Sequence, residues 1–279
     1  MKPLRASCVM PTANRRLFVQ QAIRYWLAQS YEQKELIIVD SSQTALFADL
    51  ADGKPHAVGK RIAAGRVSDE AIVYRRVAVD SSVGTERNLG YELATGDVFL
   101  NWDDDDWYGP RWIETAVATL ATGRHAICGI HTAFAYDLWA CRGWEFKWLG
   151  DGLEQAIFGP TISCLRSVWE RTPYRDLRIQ EDAQFIRDHM AESLLAIEDF
   201  SHFIYVRHAR NVTGKWHPLD EPGATQTIRG MLGASLDFYD GLAELLVNDT
   251  PSAPAPQPAR PEASPRKPPS LRRRAWGSR

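Results

Sequence analysis

The stretch "VFLNWDDDDWYGP", Val98–Pro110, decides the reading of this chain. A short apolar run, the pattern of a buried strand, ends in four consecutive carboxylates, Asp103, Asp104, Asp105 and Asp106. Like charges at this spacing repel, and the end of a buried strand raises the cost further. A divalent cation would turn that repulsion into attraction. Hard cations such as Mg²⁺ or Mn²⁺ take oxygen ligands, often one or two carboxylates with substrate phosphates completing the shell. Asp103 and Asp105 are two residues apart, so extended backbone points both the same way. The alternatives are a solvated acidic loop and a calcium loop. The calcium pattern needs glycine at its sixth position, where Tyr108 stands.

Working outward, "SCVMP" (Ser7–Pro11) is an apolar run stopped by proline, and "ELIIVD" (Glu35–Asp40) is a continuous β-branched run. Between them, Leu17, Phe18, Ala22, Trp26 and Leu27 recur near helical spacing, with Thr12 or Asn14 as the cap. Strand, helix and strand make a βαβ unit with a parallel sheet. "AIVYRRVAV" (Ala71–Val79) reads as the next strand, and "GTERNLGYELATG" reads as a helix closed by a left-handed Gly96. In open parallel sheets, ligands gather beyond the carboxyl ends of the strands. Those ends carry Pro11 to Asn14, Asp40, and the acidic cluster. The first turn, "PTANR", lacks the G-x-G-x-x-G fingerprint, which disfavours nicotinamide and flavin cofactors.

The chain has 279 residues, enough for one large domain or two small ones. Its net charge of −2 hides an asymmetry. Residues 250–279 hold eight of the sixteen prolines, seven Lys/Arg and one acid. The body therefore carries about −8 and the tail about +6. Such a proline-rich, basic segment is expected to be disordered, either a solubilising tail without a fixed partner or one in weak contact with an anionic lipid or nucleic-acid surface. The four cysteines form no C-x-x-C pair and read as reduced, mostly buried thiols. Neither a signal peptide nor a membrane span is recognisable, so the expected location is cytoplasmic, with the inner membrane face as the peripheral variant.

Three blocks, "VMPTANRRLFVQQAIRYWLAQSYEQKELIIVDSS", "ERNLGYELATGDVFLNWDDDDWYGPRWIE" and "IQEDAQF", resemble in that order a family 2 glycosyltransferase of GT-A fold. The likeness runs from about Ala6 to Trp216. It implies a Rossmann-like, mostly parallel α/β sheet flanked by helices. A nucleotide-sugar half (1–108), an acceptor and catalytic-base half (109–249) and the tail would follow one another. The implied reaction is inverting transfer of a sugar from a nucleoside diphosphate donor, most often a UDP-sugar, with Mn²⁺ or Mg²⁺. The acceptor would be a carbohydrate, lipid-linked or other hydroxyl.

Carried over to this chain, the resemblance sets Pro11, Thr12 and Asn14 against the donor nucleoside and Asp40 on the base. Arg87 and Asn88 face the donor, with Asp103 and Asp104 on the donor side of the cluster. Asp105 is the implied direct metal ligand, with Asp103 nearer the ribose or a metal-bound water and His208 as a further metal candidate. Asp182 is the implied catalytic base, with Glu181 beside it toward the acceptor. The family's common "VDDGS" is "VDSS" here, which puts base specificity in doubt.

The chemistry suits these residues: a metal neutralises the departing diphosphate, and a carboxylate takes the acceptor's proton. Adjacent acids opening a helix are also favoured by its dipole alone. Trp139, Trp144 and Trp148 are candidates to line the acceptor site, since sugar faces lie well on indole, with ordinary packing as the alternative for each. Two other functions share parts of the pattern. A nucleotidyltransferase would want a glycine-rich loop at the first strand, and a non-catalytic sugar-binding protein would not need the D-x-D pair.

Overall fold

The computed structural model describes residues 3–46, 71–147, 157–208, 211 and 221–248. Trp148 and the basic tail from Thr250, on which expectations fell, lie outside them.

Strand β1 (Ala6–Thr12), helix α1 (Arg16–Leu27) and strand β2 (Lys34–Asp40) form the expected βαβ unit. β3 (Ile72–Arg76), helix α2 (Val83–Leu93) and β4 (Val98–Asn101) continue it. β1 pairs in parallel with both β2 and β4, and β2 in parallel with β3. The carboxyl ends of four neighbouring strands therefore open on one edge. β3 ends at Arg76, short of the run to Val79 that the sequence suggested.

Helix α1 buries Phe18, Val19, Ala22, Ile23 and Trp26 on the sheet, while Leu17 is exposed. Its N-cap is Arg15, with no side-chain capping bond, so neither Thr12 nor Asn14 caps it. Thr12 is the last residue of β1, and Asn14 sits at positive φ (57°). Ser82 caps α2 by accepting from Thr85 N. α2 ends on an extended Ala94, and Gly96 is not left-handed. Gly96 is glycine for a different reason: a Cβ there would overlap Ser7 Oγ and lie 2.7 Å from Arg5 O.

Beyond the acidic turn come β5 (Trp107–Tyr108), helix α3 (Trp112–Ala121), β6 (Ile127–Ile130), β7 (Thr132–Asp137) and β8 (Arg142–Lys147). A 3-10 turn (Gly159–Thr161) leads into β9 (Ser163–Leu165), and α4 (Arg166–Arg171) follows. Helix α5 (Glu181–Asp188), β10 (Leu194–Ile197) and β11 (Phe203–Arg207) precede two C-terminal helices, α6 (Pro222–Leu232) and α7 (Leu236–Asn248).

The main sheet has the order β10-β6-β9-β4-β1-β2-β3, with β9 antiparallel to both of its neighbours. A second sheet has the order β5-β11-β7-β8. The C-terminal helices seat on this second sheet and on α1. Ile228 packs against Gly143 of β8, and Tyr239 shares a hydrogen bond with Tyr25 of α1. No helix among the described residues is long and apolar enough to cross a membrane.

Candidate active site

The acidic turn is held from both sides by aromatic packing. Trp102 is fully buried and stacks on Tyr108 at 3.9 Å between ring centroids. The Tyr108 hydroxyl accepts from Asp103 N (2.8 Å) and donates to Pro160 O (3.1 Å). Within "WYGP", Trp107 and Tyr108 form β5 and pair with Ile204 and Phe203 of β11. Gly109 is required next to that pairing, since a Cβ would overlap Ser201 O.

The four carboxylates have different partners. Asp103 Oδ1 accepts from Arg87 Nη2 at 2.9 Å. Asp104 accepts from the Thr12 hydroxyl (2.5 Å) and pairs with Arg15 Nη2 (2.8 Å). Asp105 Oδ2 pairs with Arg15 Nη1 (2.5 Å) and lies 3.1 Å from His208 Nε2 and 3.4 Å from Asn211 Nδ2. Asp106 Oδ1 accepts from Val206 N of β11 (2.9 Å).

Proton affinities diverge accordingly. Burial pushes Asp104 and Asp106 above the ordinary carboxylate range, against Arg15, with the neighbouring aspartates adding to the rise. Burial acts the same way on Asp105, but Arg15 and His208 overcome it and hold that carboxyl well below the ordinary range.

The protein's own cations therefore answer part of the repulsion that the sequence assigned wholly to a metal. Still, one carboxylate oxygen from each of Asp103, Asp105 and Asp106 lies within 4.8 Å of the others. That oxygen-only set fits a hard divalent cation. Asp106 was not anticipated, because the D-x-D reading assumed extended backbone, whereas the turn bends at these residues.

The other predicted residues divide. Thr12, Arg87, Asp103, Asp104, Asp105 and His208 converge on the turn. Pro11 is buried in β1 opposite Val39. Asn14 clamps the β2 turn through Asn14 N to Ser42 Oγ (2.7 Å) and Gln43 N to Asn14 Oδ1 (3.0 Å). Asp40 is fully buried and accepts from Ser42 N, Leu46 N and the Tyr74 hydroxyl. Asn88 is turned away from the cluster. Its amide donates to Tyr174 O and accepts from Tyr174 N and Trp169 Nε1.

Arg87 joins the cluster to helix α5. It is 2% exposed, and its Nε reaches Glu181 Oε1 at 3.4 Å. Among the described residues, its Nη1 is buried without a hydrogen-bond partner. Burial raises the proton affinity of Glu181, and Arg87 opposes the rise. Asp182, half-buried, is raised by the same cause. Its Oδ1 accepts from Ala183 N (2.7 Å), and its other oxygen faces Gly159. His208 stacks on Phe18 of α1 at 4.4 Å, and Phe18 in turn meets Phe238 of α7 edge-on.

The tryptophan expectation splits as well. Trp144 on β8 is only 5% exposed, so it packs inside the fold rather than offering a ring face. Trp139 is 42% exposed at the β7–β8 turn, two residues past Asp137, whose carboxylate pairs with Arg207 (3.3 Å).

Arg15, Asn211 and the part of Asp106 in the cluster are what sequence reasoning missed. The signal for Arg15 was present in "PTANRR", a cation directly after the first strand's polar turn.

The profile of the family described as "Glycosyl transferase family 2" matches residues 7–156. Among solved structures, TarS 1–349 of S. aureus superposes with a TM-score of 0.54 at 13% identity, over 73% of this chain and 60% of that one. The same protein in complex with UDP-GlcNAc gives 0.57 at 14% identity, over 88% and 72%. The mannosyltransferase PcManGT of Pyrobaculum calidifontis, in complex with GDP-Man and Mn²⁺, gives 0.55 at 14%, over 90% and 66%. These likenesses carry the fold, which is the GT-A arrangement implied by the sequence. The chain spans 60% of the TarS 1–349 chain and 37% of the longer TarS chain it matches. A search of the curated proteins found no match.

Proposed function

The chain belongs to glycosyl transferase family 2, and we propose that it is a glycosyltransferase that moves a sugar from a nucleoside diphosphate donor to an acceptor hydroxyl with inversion, aided by Mn²⁺ or Mg²⁺. The observation that carries this reading is the juxtaposition made by Arg87. One guanidinium spans the cation-suited cluster at Asp103 and the paired acids at the start of α5. The neighbours solved with UDP-GlcNAc and with GDP-Man and Mn²⁺ support a nucleoside diphosphate donor. We take a UDP-sugar as the first candidate and treat the base as open to test, because "VDSS" departs from the common motif.

Asp103, Asp105 and Asp106 would hold the cation, with His208 next to Asp105. When bound, it supplies Lewis-acid neutralisation of the departing diphosphate. The rest falls to the chain's own groups. Arg87, with a buried and unpartnered Nη1, offers a charge-assisted donor to the same phosphates. Thr12 fixes Asp104 and so orients the turn. Asp182 accepts the proton of the attacking hydroxyl, and burial makes it a stronger base than an exposed aspartate. Arg87 tempers the rise that burial imposes on Glu181, since its charge favours the ionised form. Trp139 is our candidate for the acceptor side. We assign residues 1–108 to the donor half, residues 109–249 to the acceptor half, and the reaction to the cytoplasm.

The test is thermal stabilisation by a panel of nucleotide-sugars, each with Mn²⁺, Mg²⁺ or EDTA. One donor is expected to protect only with metal present, and Asp105→Asn to lose that protection. Equal protection in EDTA would overturn the metal assignment, and protection by no donor would overturn the transferase reading for these substrates.

A further inference from the structure

We infer that Arg15 is the built-in counter-cation of the acidic turn, that it competes with a divalent metal for Asp105, and that once released from Asp105 it binds the donor's diphosphate. This deepens the proposed function and rests on it.

The geometry is specific. Nη2 of Arg15 holds Asp104 at 2.8 Å while Nη1 holds Asp105 at 2.5 Å. A planar guanidinium can bridge two carboxylates in this way, and an ammonium cannot. Asp105 is also one of the three aspartates whose oxygens converge within 4.8 Å. The oxygen that Arg15 grips is the one that faces His208 Nε2 at 3.1 Å. One anionic oxygen is therefore shared by a guanidinium and an imidazole nitrogen.

Arg15 cannot leave the site altogether. It is the N-cap residue of α1, one residue after Asn14, which is clamped to the β2 turn. Its ion pair with Asp104 involves no metal candidate, and Asp104 is itself fixed by Thr12. Giving up Asp105 would leave Arg15 tethered at Asp104 with two N–H donors free beside the turn. A guanidinium with a free edge beside a bound cation suits a pyrophosphate. The helix that begins at Arg16 adds unpaired backbone N–H groups at the same place.

Two consequences separate this from a merely structural arginine. Metal binding without phosphate must break an ion pair, whereas metal binding with pyrophosphate replaces that pair with a new one. Arg15 is therefore a source of cooperativity between metal and diphosphate.

The experiment is calorimetric titration of the full chain with Mn²⁺, alone and in the presence of inorganic pyrophosphate, for the wild type and Arg15→Met. Without pyrophosphate, the variant is expected to bind Mn²⁺ about tenfold more tightly, because a competing positive charge is gone. The gain in Mn²⁺ affinity caused by pyrophosphate is expected to shrink in the variant. Unchanged or weaker Mn²⁺ binding in the variant, or an unchanged gain from pyrophosphate, would overturn the inference while leaving the metal reading intact. Absence of Mn²⁺ binding by either protein under both conditions would overturn the metal reading and this inference with it. Should Arg15→Met not fold, Arg15→Lys decides. It keeps one charge but cannot bridge, so Mn²⁺ alone should again bind more tightly than to the wild type, and equal binding overturns the inference.

Discussion

Gly159 and Asp182 touch so closely that no side chain fits between them. A Cβ on Gly159 would overlap the Asp182 carboxylate oxygen and lie 2.7 Å from its Cγ. The backbone at Gly159 has no positive φ, so the glycine is there for the close approach alone. Gly159→Ala should therefore fold but displace the proposed base. Since a displacement of ~1 Å at a reacting group costs about 100-fold in rate, kcat should fall by that order while donor affinity stays near the wild-type value. Steady-state kinetics with donor titration checks it, and parallel losses in both would argue against Asp182 as the base.

Glu86, buried in the first turn of α2, gives a stability signature. Burial raises it from 4.5 to about 7, against a hydrogen bond from Ser41 and the charge of Arg87. The folded state thus holds this proton to higher pH than the unfolded state does. Its contribution is fully present below pH 4.5 and lost as pH rises through about 7. Glu86→Gln, which keeps a partner for Ser41, should stabilise the protein at pH 8 by about 2 kcal/mol, and by much less at pH 4.5. Denaturant melts at the two values decide, and a pH-independent difference would sink the assignment.

Trp139 and Trp144 should respond oppositely to truncation. Trp144→Ala removes a ring that is 5% exposed and should cost about 3–5 kcal/mol. Trp139→Ala removes a ring that is 42% exposed and should cost under about 1 kcal/mol. With a candidate acceptor in hand, Trp139→Ala should raise the acceptor KM and leave the donor KM unchanged.

Tyr108 ties the acidic turn to the 3-10 turn at Gly159 through two hydrogen bonds from one hydroxyl. Tyr108→Phe keeps the stack on Trp102 but strands Asp103 N and Pro160 O in the interior. The expected loss is about 2–4 kcal/mol, together with weaker Mn²⁺ binding. Calorimetric melting and Mn²⁺ titration check the two effects separately.

The N-terminal half of this fold was legible because its signals are local. Runs such as "ELIIVD" and the helical spacing of Phe18, Ala22 and Trp26 state their burial without reference to the rest of the chain. What escaped depended on distant partners. Leu17 fits the apolar stripe by type, yet α1 turns it outward, with Val19 and Ile23 taking the core positions. Trp144 could not be told from Trp139, since their burial is set by how the hairpin folds and by helices some eighty residues later. Arg15 read as one more charge in "NRR" because its carboxylates stand about ninety positions away. Asn88 matched a motif letter, but its amide was claimed by Trp169 and Tyr174. β9 is three residues long, too short to carry a pattern of its own.

That short reversed strand acts as a ruler. It follows directly on the turn that carries Gly159, and it is bonded to β4, from whose end the aspartates emerge. In the proposed reaction, the groups that neutralise charge and accept the proton would therefore be set apart by one inter-strand step, about 4.8 Å, plus the side chains that span it. Loops can open or cover such a crevice but cannot stretch it. On the proposed reading, a sugar would have to bring its reacting carbon to that gauge, so selectivity among substrates would begin in the backbone of the sheet before any side chain reads them.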